Sequence, residues 1–287
     1  MKILLIGGSG QLGSDLLRNN RDFEIVAPGR DRLDLERLES AAGLMTDLRP
    51  DLVVNCAAFH NVSLCEEQAE MAFRVNCVAV RNLAALCVQY GARFLTFSTD
   101  YVFGGEQRAP YREEDRPGPL QIYGISRLAG EYAALSAAPE NAVIVRTCGL
   151  YGRAGSRSRG GNFVDHRIAD AHAGKSTEIS CDQTVCPTST DDLSKALLKL
   201  IGQPGLAGGI YHLVNEGECT WYEFTKSIFA HIGTSTELRP VDRHGRTGTM
   251  RRPLYSVLAN TRGRALGVVL PLWQDALKRY LATNYPA

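Results

Sequence analysis

No uninterrupted apolar run in the sequence approaches the ~18 residues needed to cross a bilayer. The opening MKILLIGGSG gives way to glycine after one lysine and a very short apolar stretch, a poor match to a secretory leader. An excess of one charge is missing as well. Thirty-two Lys and Arg face 31 Asp and Glu, for a net charge of +1, which argues against a general nucleic-acid or membrane-surface binder. Proline is sparse, at 12 of 287 residues, and no repeat or low-complexity tract appears, so disordered, collagen-like and coiled-coil chains are excluded. The eight cysteines fall below the density of a disulfide scaffold, and Cys56, Cys77 and Cys87 lie in apolar stretches. They read as small core residues in a reducing, cytoplasmic compartment. Cys181 and Cys186 bracket Asp182, Gln183 and Thr184, but no C-x-x-C or H-E-x-x-H pattern supplies further ligands, so no metal is expected. What remains is a 44% hydrophobic chain, long enough for one large domain or two that share a core.

The first half alternates regularly. KILLI (2–6) is a short apolar run suited to a strand buried on both faces. Glycines follow, then QLGSDLLRNN with Leu12, Leu16 and Leu17 at helical spacing. Further strands are expected over 24–28, 51–58 and 141–147, and 92–105 is expected to run as strand and then loop. A long helix is expected over 72–91, closed by Gly91. Strand and helix in alternation with short joints predict an α/β fold, a doubly wound parallel Rossmann-type sheet with helices on both faces. Near residue 150 the texture changes. Residues 151–162 form a polar Gly/Ser/Arg loop of the kind that often binds ligands, in which Arg153, Arg157 and Arg159 suit a nucleotide diphosphate or plain solvation equally. Amphipathic helices follow over 190–202, 221–233 and 272–282, with Trp221 and Trp273 expected in their cores. The predicted division is a dinucleotide-binding domain over 1–147, to which 180–203 returns, and a smaller mixed substrate-binding part over 148–287.

Gly7, Gly10 and Gly13 form G-x-x-G-x-x-G directly after the first strand and into a helix. Glycine lets the backbone turn tightly and approach a pyrophosphate, which the helix N-terminus attracts. The cofactor is therefore expected to be NADPH or NADH. An acidic residue after the second strand would favour a free ribose 2′-OH, whereas arginine would favour a 2′-phosphate. Here Arg30 is followed by Asp31 and Asp34, a slight lean to NADPH that leaves both open. Past the fourth expected strand lies Ser98-Thr99-Asp100-Tyr101, and 24 residues after Thr99 comes Tyr123 in YGISRLAGE. A hydroxyl at a strand end and a tyrosine leading a helix suit keto reduction: the phenol gives a proton to the carbonyl oxygen as hydride reaches carbon, and the hydroxyl holds that oxygen. A phenol pKa near ~10 calls for a nearby cation.

These residues belong to a longer pattern: GGSGQLG (7–13), NCAAFHNVSLCE (55–66), FSTDYVFGG (97–105), PLQIYGISRLAGE (119–131), IVRTCGLYG (144–152), GGNFV (160–164), DQTVCPTSTDDL (182–193), GIYHL (209–213), TWYEF (220–224) and RRPLYSVL (251–258). In this the chain resembles the dTDP-4-dehydrorhamnose reductases, in the sugar-nucleotide-binding branch of the extended short-chain dehydrogenase/reductases. The resemblance implies NAD(P)H-dependent reduction of the 4-keto group of dTDP-6-deoxy-L-lyxo-4-hexulose, giving dTDP-L-rhamnose. It implies Tyr123 as proton donor and Thr99 as its hydroxyl partner. Gly10, Gln11 and Leu12 would hold the pyrophosphate, Asp34 and Leu35 would lie by the adenine, and Ala58, Phe59 and His60 would line the cofactor cleft. Thr99, Asp100 and Tyr101 would face the sugar. Asn162, Phe163, Arg251 and Arg252 would take the nucleotide diphosphate side, paired arginines suiting phosphate.

Two departures stand out. The family carries lysine four residues after the tyrosine, where it holds the nicotinamide ribose and lowers the phenol pKa; this chain has Arg127. The charge survives but the larger planar guanidinium does not reproduce the ribose contact, which predicts a weakened reductase that Arg127→Lys would speed. Gly149 stands where many rhamnose-forming members carry a tryptophan against the sugar. A second class is a nucleotide-binding regulatory subunit resembling that of methionine adenosyltransferase, and a third is an epimerase or dehydratase, for which only Asp100 offers an extra acid. A nucleotide-sugar substrate is the expected partner, no nucleic acid or membrane is expected, and a homodimer is left open.

Overall fold

The computed structural model describes residues 1–156, 160–248 and 250–286. Near-continuous apolar runs give the first five strands: β1 (Lys2–Ile6), β2 (Glu24–Val26), β3 (Leu52–Asn55), β4 (Arg93–Thr99) and β5 (Ala142–Thr147). Short strands β6 (Leu150–Tyr151), β7 (Thr177–Ser180), β8 (Thr184–Val185) and β9 (Thr188–Ser189) precede β10 (Gly209–His212), and β11 (Cys219–Thr220), β12 (Leu238–Val241), β13 (Arg246–Thr247) and β14 (Met250–Arg251) follow. The main sheet has the order β10-β5-β4-β3-β1-β2, and every neighbouring pair in it is parallel. β10 was not expected in this sheet, because GIYHL is short and lies within the part assigned to substrate. Its register along β5 carries the main sheet beyond the predicted boundary at 147.

Helices cover both faces. Among the residues of α1 (Gln11–Asn19) and α8 (Thr190–Ile201), Leu12, Leu16, Leu193, Leu197 and Leu200 pack with Ile3, Leu5, Val54 and Val145. On the other side stand α2 (Leu38–Leu48), then α3 (Val62–Glu67), α4 (Ala69–Phe73), α5 (Ala79–Gln89) and α6 (Ile122–Ala137). There Met45, Val80, Leu83, Ala84 and Ala134 meet Leu4, Ile6, Val53, Phe94 and Ile144. The alternation of leucines and β-branched residues thus buries both sheet faces, as parallel sheets require.

Ala69–Gln89 is one helical stretch of 21 residues, apolar and long enough by composition to cross a membrane. It contains Arg74 and Arg81 and packs against α6 and β4. A π-helical turn at Arg74–Val78 joins α4 to α5. The remaining helices, α7 (Phe163–His172), α9 (Trp221–Ile232), α10 (Thr261–Ala265) and α11 (Trp273–Asn284), include three that build a separate aromatic core from Val164, Ile168, Phe224, Ile228, Trp273 and Tyr280. The chain runs from β1 out to β2, then returns across β1 to β3. Ligands bind at such a reversal, beyond the carboxyl ends of the strands.

Candidate active site

A cleft of about 1240 Å³ opens at that reversal. At one end the loop after β1 closes on the loop after β3. Gly7 has φ +80°, and a Cβ there would stand 3.1 Å from the Ala57 nitrogen. α1 starts at Gly10 with no side-chain cap and no acid in its first turn, so its leading N–H groups and the positive end of the helix dipole remain for an anion. Gly7, Gly10, Gln11 and Leu12 line the cleft; Gly13 does not. A Cβ on Gly13 would run into the Gly7 carbonyl, so this third glycine permits helix–loop packing instead of meeting a ligand. Arg30, Asp34 and Leu35 line the same end, beside Glu36. Arg30 is largely exposed and 3.5 Å from Glu36, while Asp34 accepts the Glu36 backbone N–H.

Ala58, Phe59 and His60 form the opposite lip. The π-helical turn explains their placement. It presents buried Asn76, whose amide receives the Phe59 N–H and donates to the Phe59 carbonyl, each at 2.9 Å. The same amide donates to Ser126 on α6. Asn76 therefore ties the cleft lip to the tyrosine helix, and no spacing signal in the sequence marks it. His60 reaches the Ser156 hydroxyl at 3.0 Å, across the cleft.

Thr99 ends β4 and Tyr123 lies in the first turn of α6. That helix begins where Gln121 accepts the Gly124 N–H and Glu66 accepts the Ile122 N–H. Tyr123 and Thr99 both line the cleft. Burial pushes the phenol above its ordinary pKa, and the Arg127 guanidinium pulls it back, with the neighbouring Thr99 hydroxyl acting in the same downward sense. Arg127 lines the cleft but is only 5% exposed. Its Nη2 donates to the Phe97 carbonyl and its Nη1 lies 3.5 Å from the Asn76 amide oxygen. The arginine is thus docked into the strand end, so its charge reaches the phenol while its fork is engaged elsewhere.

Asp100 lines the cleft but its oxygens are occupied. Thr99 donates to Oδ1 at 2.9 Å, and Ser256 and Cys148 donate to Oδ2 at 2.6 and 3.2 Å. Burial raises its pKa, against the lowering effect of those hydrogen bonds. Tyr101 stands edge-on to Tyr123, centroids 6.2 Å apart, and Arg252 donates to its hydroxyl at 2.7 Å. Burial nevertheless pushes Tyr101 up to about 12.

On the substrate side three expectations change. Arg252 enters the cleft but Arg251 does not. Arg251 lies on β14 facing solvent, and side chains of consecutive residues in extended chain point to opposite sides. Asn162 touches the cleft, yet its oxygen caps α7 through Val164 and Asp165 and its nitrogen donates to Gly152 and Tyr280. Phe163 lines the cleft as expected, and so does Trp221, which was expected in the core. Arg167, Arg243, Glu178 and Gln183 also line it; none was singled out, since their spacing relates them only after folding. Arg153 is exposed, and Arg157 and Arg159 lie outside the described residues. Among the described residues no group of three or more His, Cys, Asp or Glu is arranged to hold a metal.

Sheet order, glycine cradle and the Thr99–Tyr123 pair define a Rossmann-type fold of the extended short-chain dehydrogenase/reductase class. Comparison with known proteins narrows this. Residues 1–285 match the family model for the RmlD substrate binding domain. The spore coat polysaccharide biosynthesis protein SpsK of Bacillus subtilis is 34% identical over 98% of this chain and 96% of its own. A dTDP-4-dehydrorhamnose reductase of Streptomyces griseus is 37% identical over 96% and 91%. The solved structure of dTDP-4-dehydrorhamnose reductase from Bacillus anthracis, in complex with NADP, superposes with a TM-score of 0.92 at 30% identity, covering 99% of each chain. The chain belongs to the RmlD family.

Proposed function

We propose that the protein is an NAD(P)H-dependent reductase of the 4-keto group of a nucleotide-linked 6-deoxy sugar, acting on dTDP-4-dehydro-L-rhamnose to give dTDP-L-rhamnose. The observation that carries this reading is the Tyr123 phenol, together with Thr99 and Arg127, in a cleft whose far end is the glycine cradle. Relatives named as reductases of dTDP-4-keto sugars support it, and so does the NADP complex of a neighbour. The reading as a regulatory subunit is not favoured, since those relatives are named for catalysis.

A nicotinamide dinucleotide supplies the hydride when bound. Gly10, Gln11 and Leu12 would hold its pyrophosphate, which the uncapped start of α1 fits. Arg30 would meet a 2′-phosphate where the dinucleotide carries one; Asp34 and Leu35 would lie by the adenine, and Ala58, Phe59 and His60 would line the cofactor's side of the cleft. Tyr123 holds its proton at Oη for the sugar carbonyl oxygen, and Thr99 hydrogen-bonds that same region. Arg127 favours the phenolate left after transfer. Asp100 fixes Thr99, and Tyr101 and Arg252 face the sugar and its diphosphate. Residues 1–147, to which 180–203 returns, form the dinucleotide-binding part, and 148–287 the substrate-binding part, of a cytoplasmic enzyme.

The test is incubation with dTDP-4-dehydro-L-rhamnose and NADPH, following nicotinamide absorbance and identifying the product by chromatography. Stoichiometric oxidation with dTDP-L-rhamnose as product is expected. No oxidation with any nucleotide-linked 4-ketose removes the reading.

A further inference from the structure

Two large aromatic side chains outside the sheet, Phe163 and Trp221, line the cleft. Trp221 opens α9, directly after Thr220 caps it through a capping box, and this fixes the direction in which the indole leaves the helix. The ring packs on Phe163 with centroids 4.5 Å apart, and Phe224 stands behind both, 6.1 Å from Trp221 and 6.0 Å from Phe163. Phe224 and Trp273 are enclosed at 0% and 5% exposure. Trp221 is only half-buried and lines the cleft.

The ring also lies over Gly149, where a Cβ would stand 3.1 Å from the indole Cη2 and 3.3 Å from the Pro187 Cα. Gly149 has φ +53°, in the left-handed region that favours glycine. It is two residues past Thr147, which pairs with Thr99 across the sheet. The indole therefore sits near the strand ends that carry the reacting hydroxyls, away from the glycine cradle.

We infer that Trp221 is the platform for the sugar ring of the nucleotide-linked 6-deoxyhexose, its indole face meeting the C5–C6 edge that ends in a methyl. This rests on the reductase reading above. An aromatic face attracts the C–H edge of a pyranose and a methyl group, whereas a C6 hydroxyl pressed there loses water without gaining a partner. Phe163 and Phe224 keep the indole from rotating away. Gly149 supplies the room in which it stands.

The sequence has two tryptophans, so Trp273→Phe leaves Trp221 as the sole indole emitter. That variant is titrated with dTDP-L-rhamnose and, separately, with dTDP, with calorimetry reporting binding. A change in Trp221 emission with dTDP-L-rhamnose, much smaller with dTDP, is expected. An equal change with both ligands places the indole on the nucleotide and overturns the proposal. Binding without any change in emission overturns it too. If dTDP-L-rhamnose does not bind the unmodified protein, the reductase reading falls first and takes this inference with it.

Two further variants measure the contact itself. Trp221→Ala is expected to weaken dTDP-L-rhamnose about tenfold or more while leaving dTDP within about twofold, the range a lost apolar contact spans. Gly149→Ala keeps the indole but displaces it, and is expected to reproduce that selective loss if Trp221→Ala does not fold. Equal losses for both ligands, or none, contradict the assignment.

Discussion

Arg127 offers the most informative perturbation, because its charge and its hydrogen bonds act on different things. The cation lowers a phenol that burial raises, while the guanidinium is docked on the Phe97 carbonyl and beside Asn76. Arg127→Met removes the charge at similar length. Each pKa unit by which the phenol then rises corresponds to about 1.4 kcal/mol, or tenfold, so kcat should fall by up to about tenfold for each unit. The sign of the pH effect follows from the phenol's role as donor. Reduction fails as pH rises through its pKa, so a higher pKa moves the alkaline limb of the kcat profile to higher pH. Arg127→Lys keeps the charge on a compact ammonium free of the Phe97 fork. Its turnover should exceed that of the unmodified protein, while losing the charged hydrogen bond should cost about 1–3 kcal/mol of stability, read as a lower Tm. Stopped-flow nicotinamide absorbance across pH, with thermal melts, measures both. Unchanged kcat and alkaline limb in Arg127→Met, or slower turnover in Arg127→Lys, would refute the argument that the cation matters through the phenol.

Other positions give sharp contrasts. Gly13→Ala drives a Cβ into the Gly7 carbonyl; overpacking of about 1–3 kcal/mol should lower Tm and weaken NADPH at least tenfold by fluorescence titration, and unaltered NADPH affinity would mean the loop is not the nucleotide cradle. Arg252→Ala removes the cation on Tyr101 and should raise KM for the sugar nucleotide about tenfold or more, whereas Arg251→Ala, at an exposed residue outside the cleft, should leave KM unchanged; similar effects from both would contradict the strand alternation. His212 is held neutral, its pKa lowered from 6.5 to about 3 by burial and then by Arg146. The unfolded chain therefore binds the extra proton first, and this residue withdraws about 1.4 kcal/mol of stability per pH unit as pH falls from about 6.5 toward 3. His212→Gln should flatten that part of the stability curve in urea melts; an equally steep curve would show that the acid sensitivity arises elsewhere.

The sheet was legible because its strands are buried on both faces: KILLI and NAVIVRT need no pattern beyond continuous apolarity flanked by turns. The position of Gly7, Thr99 and Tyr123 at the cleft was legible because all three stand at the ends of such elements. Side chains that act through the fold were not. Asn76 looks like any polar residue on an apolar helix, and only the π-helical turn brings its amide to Phe59. Trp221 at the start of an amphipathic helix is indistinguishable in sequence from a core residue, since exposure to the cleft depends on Gly149 in another element. Arg251 and Arg252 read as a pair in one dimension, yet the alternation of extended chain separates them. Asn162 could be placed at the site but not assigned its task, because capping α7 consumes the amide that a ligand would need.

Tyr123→Phe tests the core of the account with the loss of one oxygen. The variant should bind NADPH and dTDP-L-rhamnose as the unmodified protein does, and its kcat with dTDP-4-dehydro-L-rhamnose should drop about 10²- to 10⁴-fold, the span of a general acid's contribution. Turnover at the unmodified rate, with binding intact, would contradict it.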